Sequence, residues 1–217
     1  LVGRARPAQR RKDGTLIRVI DAQFLTTAVG PAHFPAPGPP EVAMIGRSNV
    51  GKSSMINTLT SRRKLVRVSN TPGRTRTLNF FDVVLEREER RENVRFCDLP
   101  GYGFAKVSKS EREGWKEMIG GYLEHRATLK AAVTIIDVEI GPTPDDVLTQ
   151  EYLSMIPARK LVVATKLDRL PKAKRKPALA AAAAKLEVPL DAVVGFSAKE
   201  RWGVDEVWGL LWSAALT

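Results

Sequence analysis

Glu41-Val42-Ala43-Met44-Ile45, followed by Gly46-Arg47-Ser48-Asn49-Val50-Gly51-Lys52-Ser53-Ser54, is the stretch that decides the fold. An apolar run of strand length meets a loop bracketed by glycines, and the loop opens into a helical pattern over Lys52–Leu59. The spacing is G-x-x-x-x-G-K-[ST]. Its glycines let backbone amides turn toward phosphate oxygens, its lysine neutralises the β/γ oxygens, and its hydroxyl reaches Mg²⁺. Here those roles fall to Gly46 and Gly51, Lys52 and Ser53, with Arg47, Ser48, Asn49, Val50 and Ser54 completing the cradle. A plain glycine turn at a helix start is the bland alternative, and the strand before the loop argues against it.

Outward from this loop, short apolar runs alternate with amphipathic ones. Strands are expected at Glu41–Ile45, Leu78–Leu85, Val94–Asp98, Ala131–Asp137, Lys160–Ala164 and Val193–Phe196. Helices are expected at Lys52–Leu59, Arg112–His125, Asp145–Met155, Pro177–Leu186 and Val204–Leu211. The alternation predicts βαβ units, and so an α/β fold: a mostly parallel six-stranded sheet with helices on both faces. Only the charged turn Glu86–Glu92 separates two of the strands. That is too short for a crossover helix, so the pair should be antiparallel, with one antiparallel strand at the sheet edge. Residues 1–40 read as a basic leader ending in the proline-rich Val29–Pro40, a linker or lead-in, and 41–217 as one domain.

Three more fragments lie at predicted strand ends. Asp98-Leu99-Pro100-Gly101 closes a strand, where a carboxylate can reach the Mg²⁺ shell through water and the Gly101 amide can bond a γ-phosphate. Thr165-Lys166-Leu167-Asp168 offers a carboxylate that can accept from both N1–H and the 2-amino group of guanine. Adenine has no matching pair. Phe196-Ser197-Ala198 ends the next strand, where an Ala198 amide can meet guanine O6. Taken singly, each of these is a common turn or surface loop. In this order, at strand ends, they describe a GTP site. Thr71-Pro72-Gly73-Arg74-Thr75-Arg76-Thr77 lies where a nucleotide-responsive loop would close over the γ-phosphate. On the residues alone, Thr71, Thr75 and Thr77 are rival second Mg²⁺ ligands.

Composition narrows the function classes. The chain of 217 residues has one cysteine, Cys97, and two histidines, His33 and His125. Neither a disulfide framework nor a Cys/His metal cluster is available, so a metal would be held by oxygen. Cys97 falls inside a strand and reads as core. The net charge of +11 favours a polyanionic partner, with simple solubility as the bland reading. No apolar run approaches the ~18 residues that span a bilayer, so no membrane partner is expected. Residues 1–20 carry five arginines and one lysine against Asp13. A cytoplasmic location is expected, or an organellar one if this segment is a targeting remnant. Basic clusters at 62–67 and at Lys172, Lys174, Arg175 and Lys176 read either as grips on RNA phosphates or as solvated surface. Trp208 and Trp212 read as the packing face of the last helix.

Three stretches, Arg47–Ser54, Thr71–Thr77 and Asp98-Leu99-Pro100-Gly101-Tyr102-Gly103-Phe104-Ala105-Lys106-Val107, resemble the EngB family of bacterial GTPases, in the Era-like branch. The resemblance runs from about Val19 to the C-terminus. It implies a three-layer P-loop GTPase fold of the Ras-like type, with GTP or GDP and Mg²⁺ as cofactors and Thr75 as the Mg²⁺ ligand of the responsive loop. It also implies a function in assembly of the large ribosomal subunit, with rRNA and ribosomal proteins as partners and with division and septation failing in its absence. A monomer that does not bind DNA is expected. The alternative is a GTP-binding division factor that acts structurally, without ribosome contact. Where the family usually has an arginine two residues after Asp137, this chain has Glu139. Tyr102 follows Gly101 where Ras-type enzymes have a water-orienting glutamine, so intrinsic hydrolysis should be slow. Asn49 resembles an asparagine that coordinates K⁺ in some relatives; capping of the loop is its other reading.

Overall fold

The computed structural model describes residues 16–66, 77–102 and 118–217. Seven strands form one sheet: β1 (Ile17–Ala28), β2 (Glu41–Gly46), β3 (Leu78–Arg87), β4 (Arg90–Asp98), β5 (Leu129–Asp137), β6 (Arg159–Thr165) and β7 (Val193–Gly195). Their order is β1-β3-β4-β2-β5-β6-β7. The helices are α1 (Lys52–Leu59), α2 (described over 118–125), α3 (Pro144–Ser154), α4 (Lys172–Lys185) and α5 (Val204–Ala215).

The two faces of the sheet separate by strand alternation. Val42 and Met44 of β2 pack with Met55 and Ile56 of α1 and with Trp208 and Leu211 of α5. Ala43 and Ile45, on the opposite face, pack with Tyr122 of α2 and Leu153 of α3. Farther along that second face, Val162 and Ala164 of β6 meet Ala182 and Ala183 of α4. The result is the expected three-layer α/β architecture with helices on both faces. Trp208 and Trp212 lie in the core as expected, the former stacked on Phe96 at 5.6 Å.

Two details of the sheet correct the expectation. It has seven strands, not six, and the antiparallel strand β3 is interior, because β1 pairs antiparallel with its outer side from Ile17↔Arg87 to Ala28↔Leu78. The alternation that would reveal β1 is slipped twice, by irregularities between Val19 and Asp21 and between Phe24 and Thr26. Each slip moves the apolar set to the other face, so no single period-2 pattern survives in the sequence. The turn between β3 and β4 shrinks from Glu86–Glu92 to Glu88 and Glu89, since Arg87 already pairs with Arg90. Helix α4 starts at Lys172 rather than at Pro177, which sits inside it. Pro171 sets the entry with φ −53°, and Pro177 leaves the Ala173 carbonyl without its i+4 donor.

The proline-rich segment is fastened at the end of the sheet remote from the glycine loop. Glu41, fully buried, accepts from Arg126 at 2.6 Å and from the Tyr122 hydroxyl at 3.0 Å. Arg126 also donates to the Pro35 carbonyl at 2.8 Å, and Arg95 donates to Ala36 at 3.1 Å while pairing with Asp82 at 2.6 Å. One carboxylate thus holds the cations that tie residues 35 and 36 to the domain. Glu41→Ala will strand buried guanidinium charge and lower the unfolding free energy by about 3–5 kcal/mol. Arg18→Ala, which removes an exposed partner of Glu86, will cost at most about 1 kcal/mol. Urea denaturation of the two variants checks the contrast.

Candidate nucleotide-binding site

The sequence-predicted fragments gather at the C-terminal ends of β2, β4, β6 and β7, along one rim of the sheet. The loop after β2 bends through Asn49, at φ 65°, and Gly51, at φ 96°, before α1 begins. Glycine enters that left-handed region without the Cβ clash that a larger residue meets. Turning the chain there leaves the first amides of α1 unspent by the helix, as a phosphate cradle needs.

Lys52 and Asp98 face each other across the rim. The Lys52 ammonium donates to Asp98 Oδ1, and both side chains are nearly buried. The segment after Asp98 lies directly on the glycine loop. Ser48 N–H donates to the Tyr102 carbonyl at 3.4 Å, and Arg47 bridges Tyr102. A Cβ on Gly101 would come within 2.9 Å of the Ser48 nitrogen, so only glycine lets the two loops approach this closely. Leu99 N–H donates to the Met44 carbonyl at 3.1 Å and fixes where Pro100 and Gly101 depart.

A hydroxyl at Ser53 and a carboxylate at Asp98 are hard oxygen donors of the kind Mg²⁺ takes when phosphate oxygens and water supply the rest. Among the described residues no group of three or more His, Cys, Asp and Glu could hold a metal by itself. Ser53 and Asp98, two such donors, suit a cation that arrives with its phosphates. Gly73, Arg74, Thr75 and Arg76, with Thr71, lie outside the described residues, as do Gly103–Val107. Thr77 is described and leads directly into β3.

At the other end of the rim the fragments expected to meet the base interlock. Thr165 Oγ1 contacts the Val50 carbonyl and lies 2.9 Å from that of Ile136, joining this end to the glycine loop. Lys166 adopts φ 60°, and its ammonium pairs with Asp137 at 2.6 Å. Leu167 N–H donates to the Phe196 carbonyl at 3.0 Å. The Ser197 hydroxyl donates to Asp168 Oδ1 at 2.6 Å and accepts from Glu200 N–H at 3.1 Å. Ala198 follows directly. Glu139 pairs with Arg169 at 3.0 Å, a half-exposed contact beside Asp168.

Several residues partnered along this rim carry little signal in the sequence. Asp137 holds Lys166, yet a strand-end aspartate is its only sequence signal. Asp146 accepts from the Tyr102 hydroxyl at 2.6 Å while its other oxygen accepts from Thr143 at 2.7 Å in the capping box of α3. Burial, then the bond to Asp146, raises the Tyr102 pKa well above its ordinary value. The hydroxyl stays protonated and committed to α3. The basic stretch after α1 has an apolar anchor in Leu65 and Val66. Val66 is buried, and Asn57 clasps its N–H and its carbonyl at 2.8 Å each.

Residues 41–166 match the family model described as 50S ribosome-binding GTPase. A probable GTP-binding protein EngB of Myxococcus xanthus is 60% identical over 196 residues, covering 90% of this chain and 95% of that protein. A crystal structure of a probable GTP-binding protein engB superposes with a TM-score of 0.61 at 26% identity, over 81% of this chain and 98% of the other. Era in complex with MgGDPNP and nucleotides 1506-1542 of 16S ribosomal RNA gives 0.64 at 23% identity, over 81% of this chain and 56% of the other, a likeness of fold.

Proposed function

Since the chain belongs to the EngB family of GTP-binding proteins, ribosome-binding P-loop GTPases, we propose that it is a slow GTPase switch for large-subunit assembly, on which division and septation depend. It works as a monomer in the cytoplasm, on precursor particles of rRNA and protein. Amides of the Arg47–Ser53 loop and the Lys52 ammonium hold the β- and γ-phosphates, and the Gly101 amide senses the γ-phosphate. Ser53 and Thr75, with Asp98 through water, hold Mg²⁺, which when bound neutralises developing phosphate charge. Lys166, Leu167 and Asp168, with Phe196, Ser197 and Ala198, seat the guanine. Asn49 is a second cation's ligand if K⁺ stimulates hydrolysis. Tyr102, tied to Asp146, does not orient water, so the unassisted rate does not exceed the ~10⁻⁴–10⁻³ s⁻¹ of unassisted Ras.

The switch reading rests on one continuity. Arg62, Arg63 and Lys64 are exposed directly beyond α1, whose first residue is Lys52, and they lead into 67–76, where Thr75 lies. A cationic patch is thereby joined in sequence to both ends of the phosphate machinery. GTP-state binding to large-subunit particles will be tighter and steeper in salt than GDP-state binding. Charge reversal at Arg62, Arg63 and Lys64 will flatten the slope of log affinity against log salt by about 0.7–0.9 for each phosphate no longer neutralised. GTP affinity will be unchanged. Co-sedimentation across a salt series reads this directly. Identical slopes for wild type and variant would show that another face meets the particle, and absence of particle binding in both nucleotide states would favour a structural division factor.

A further inference from the structure

Arg175 stands apart from the basic cluster to which it belongs. Lys172, Lys174 and Lys176 are exposed, whereas Arg175 is half-buried. Its Nε donates to the Leu170 carbonyl at 3.0 Å, just past the turn that carries Asp168. Its guanidinium lies over the Trp202 indole, 4.3 Å from the ring centre. Trp202 in turn closes the loop after β7: Ser197 N–H donates to the Trp202 carbonyl at 3.1 Å, and the Ser197 hydroxyl reaches Asp168. The contacts form a ring through Leu170, Arg175, Trp202, Ser197 and Asp168.

We propose that Arg175 and Trp202 are positioning residues for base recognition, the guanidinium stapling the 166–170 loop to the 197–202 loop so that the Asp168 carboxylate is fixed for the purine's 2-amino edge. The inference rests on the reading of Asp168 as the guanine contact. Arginine suits the task because its planar cation can stack on an indole face while its edge N–H donates to a carbonyl. A lysine can offer its point charge to one or the other.

Dissociation constants of GDP and IDP for the full chain, measured by calorimetry, test the proposal, because IDP lacks the 2-amino group. Arg175→Ala and Trp202→Ala will weaken GDP about tenfold and IDP about threefold, as expected when two bonds to Asp168 are misaligned rather than one. Trp202→Phe will keep the GDP/IDP ratio, since a ring face remains. Arg175→Lys will lower it. Lys185→Ala, at the far end of α4, will leave both constants unchanged. Equal weakening of GDP and IDP in the alanine variants, or none, would overturn the proposal. Asp168→Ala separates the two levels. If it also weakens both nucleotides equally, the guanine reading fails together with the positioning role. If it collapses the ratio while Arg175→Ala does not, only the positioning role fails. Should Trp202→Ala not fold, Arg175→Ala and Arg175→Lys, whose side chain is half-buried on the surface, carry the comparison.

Discussion

Lys52→Ala will weaken GTP and GDP binding by at least about a hundredfold, since each charge-assisted bond removed from a phosphate oxygen is worth about 1.5–3 kcal/mol. The structure adds a second reason. Lys52 is the partner of Asp98, and both side chains are nearly buried. Its removal leaves the carboxylate uncompensated at the place proposed for the phosphates, so repulsion joins the missing attraction. The same stranded charge will destabilise the fold. Lys52→Ala combined with Asp98→Asn will therefore recover stability relative to Lys52→Ala alone, yet will not recover nucleotide affinity. Titration with a fluorescent GDP analogue, alongside thermal unfolding of both variants, separates the two effects. Micromolar GTP affinity in a folded Lys52→Ala protein would refute the role given to the lysine.

What the sequence disclosed and what it hid differ by the range of the signal. The glycine loop, Asp98–Gly101, Thr165–Asp168 and Phe196–Ala198 are local patterns at strand ends, and each was legible because its spacing and its flanking strand lie within a dozen residues. The rim that unites them follows from parallel strand order alone. The antiparallel β3–β4 pair was legible for the same reason, a connection too short to cross over. Strand β1 was not legible, because its two slips of register destroy the alternation that marks a half-buried strand, and its partner β3 lies some fifty residues away. Arg175 was read with its lysine neighbours because composition counts charge and cannot say which cation turns inward. Asp146 had a visible local duty, the cap of α3, and nothing local reveals that its second oxygen receives Tyr102. The Asn57 clasp on Val66 is equally hidden from composition.

Asp168→Asn will move preference from guanine toward xanthine, and the geometry around Ser197 says how. Glu200 N–H donates to the Ser197 oxygen, so the Ser197 proton is directed to Asp168 Oδ1 at 2.6 Å. In the Asp168→Asn protein that proton still requires an acceptor. The side-chain amide will therefore present its oxygen to Ser197 and its NH₂ to the base. Guanine brings its own N1–H and 2-amino donors to that edge, so donor meets donor. Xanthine has a carbonyl at the 2-position and accepts instead. Loss of two charge-assisted bonds, about 1.5–3 kcal/mol each, predicts GTP affinity lower by about a hundredfold or more, with XTP becoming the better ligand. Ser197→Ala in the Asp168→Asn background will blunt the switch, because the amide is then free to rotate its oxygen back toward guanine. Competition of GTP, XTP and ATP against a labelled guanine nucleotide measures all three proteins. If ATP and GTP compete equally against the wild type, or if Asp168→Asn retains its guanine preference, the carboxylate is not the group that reads the base.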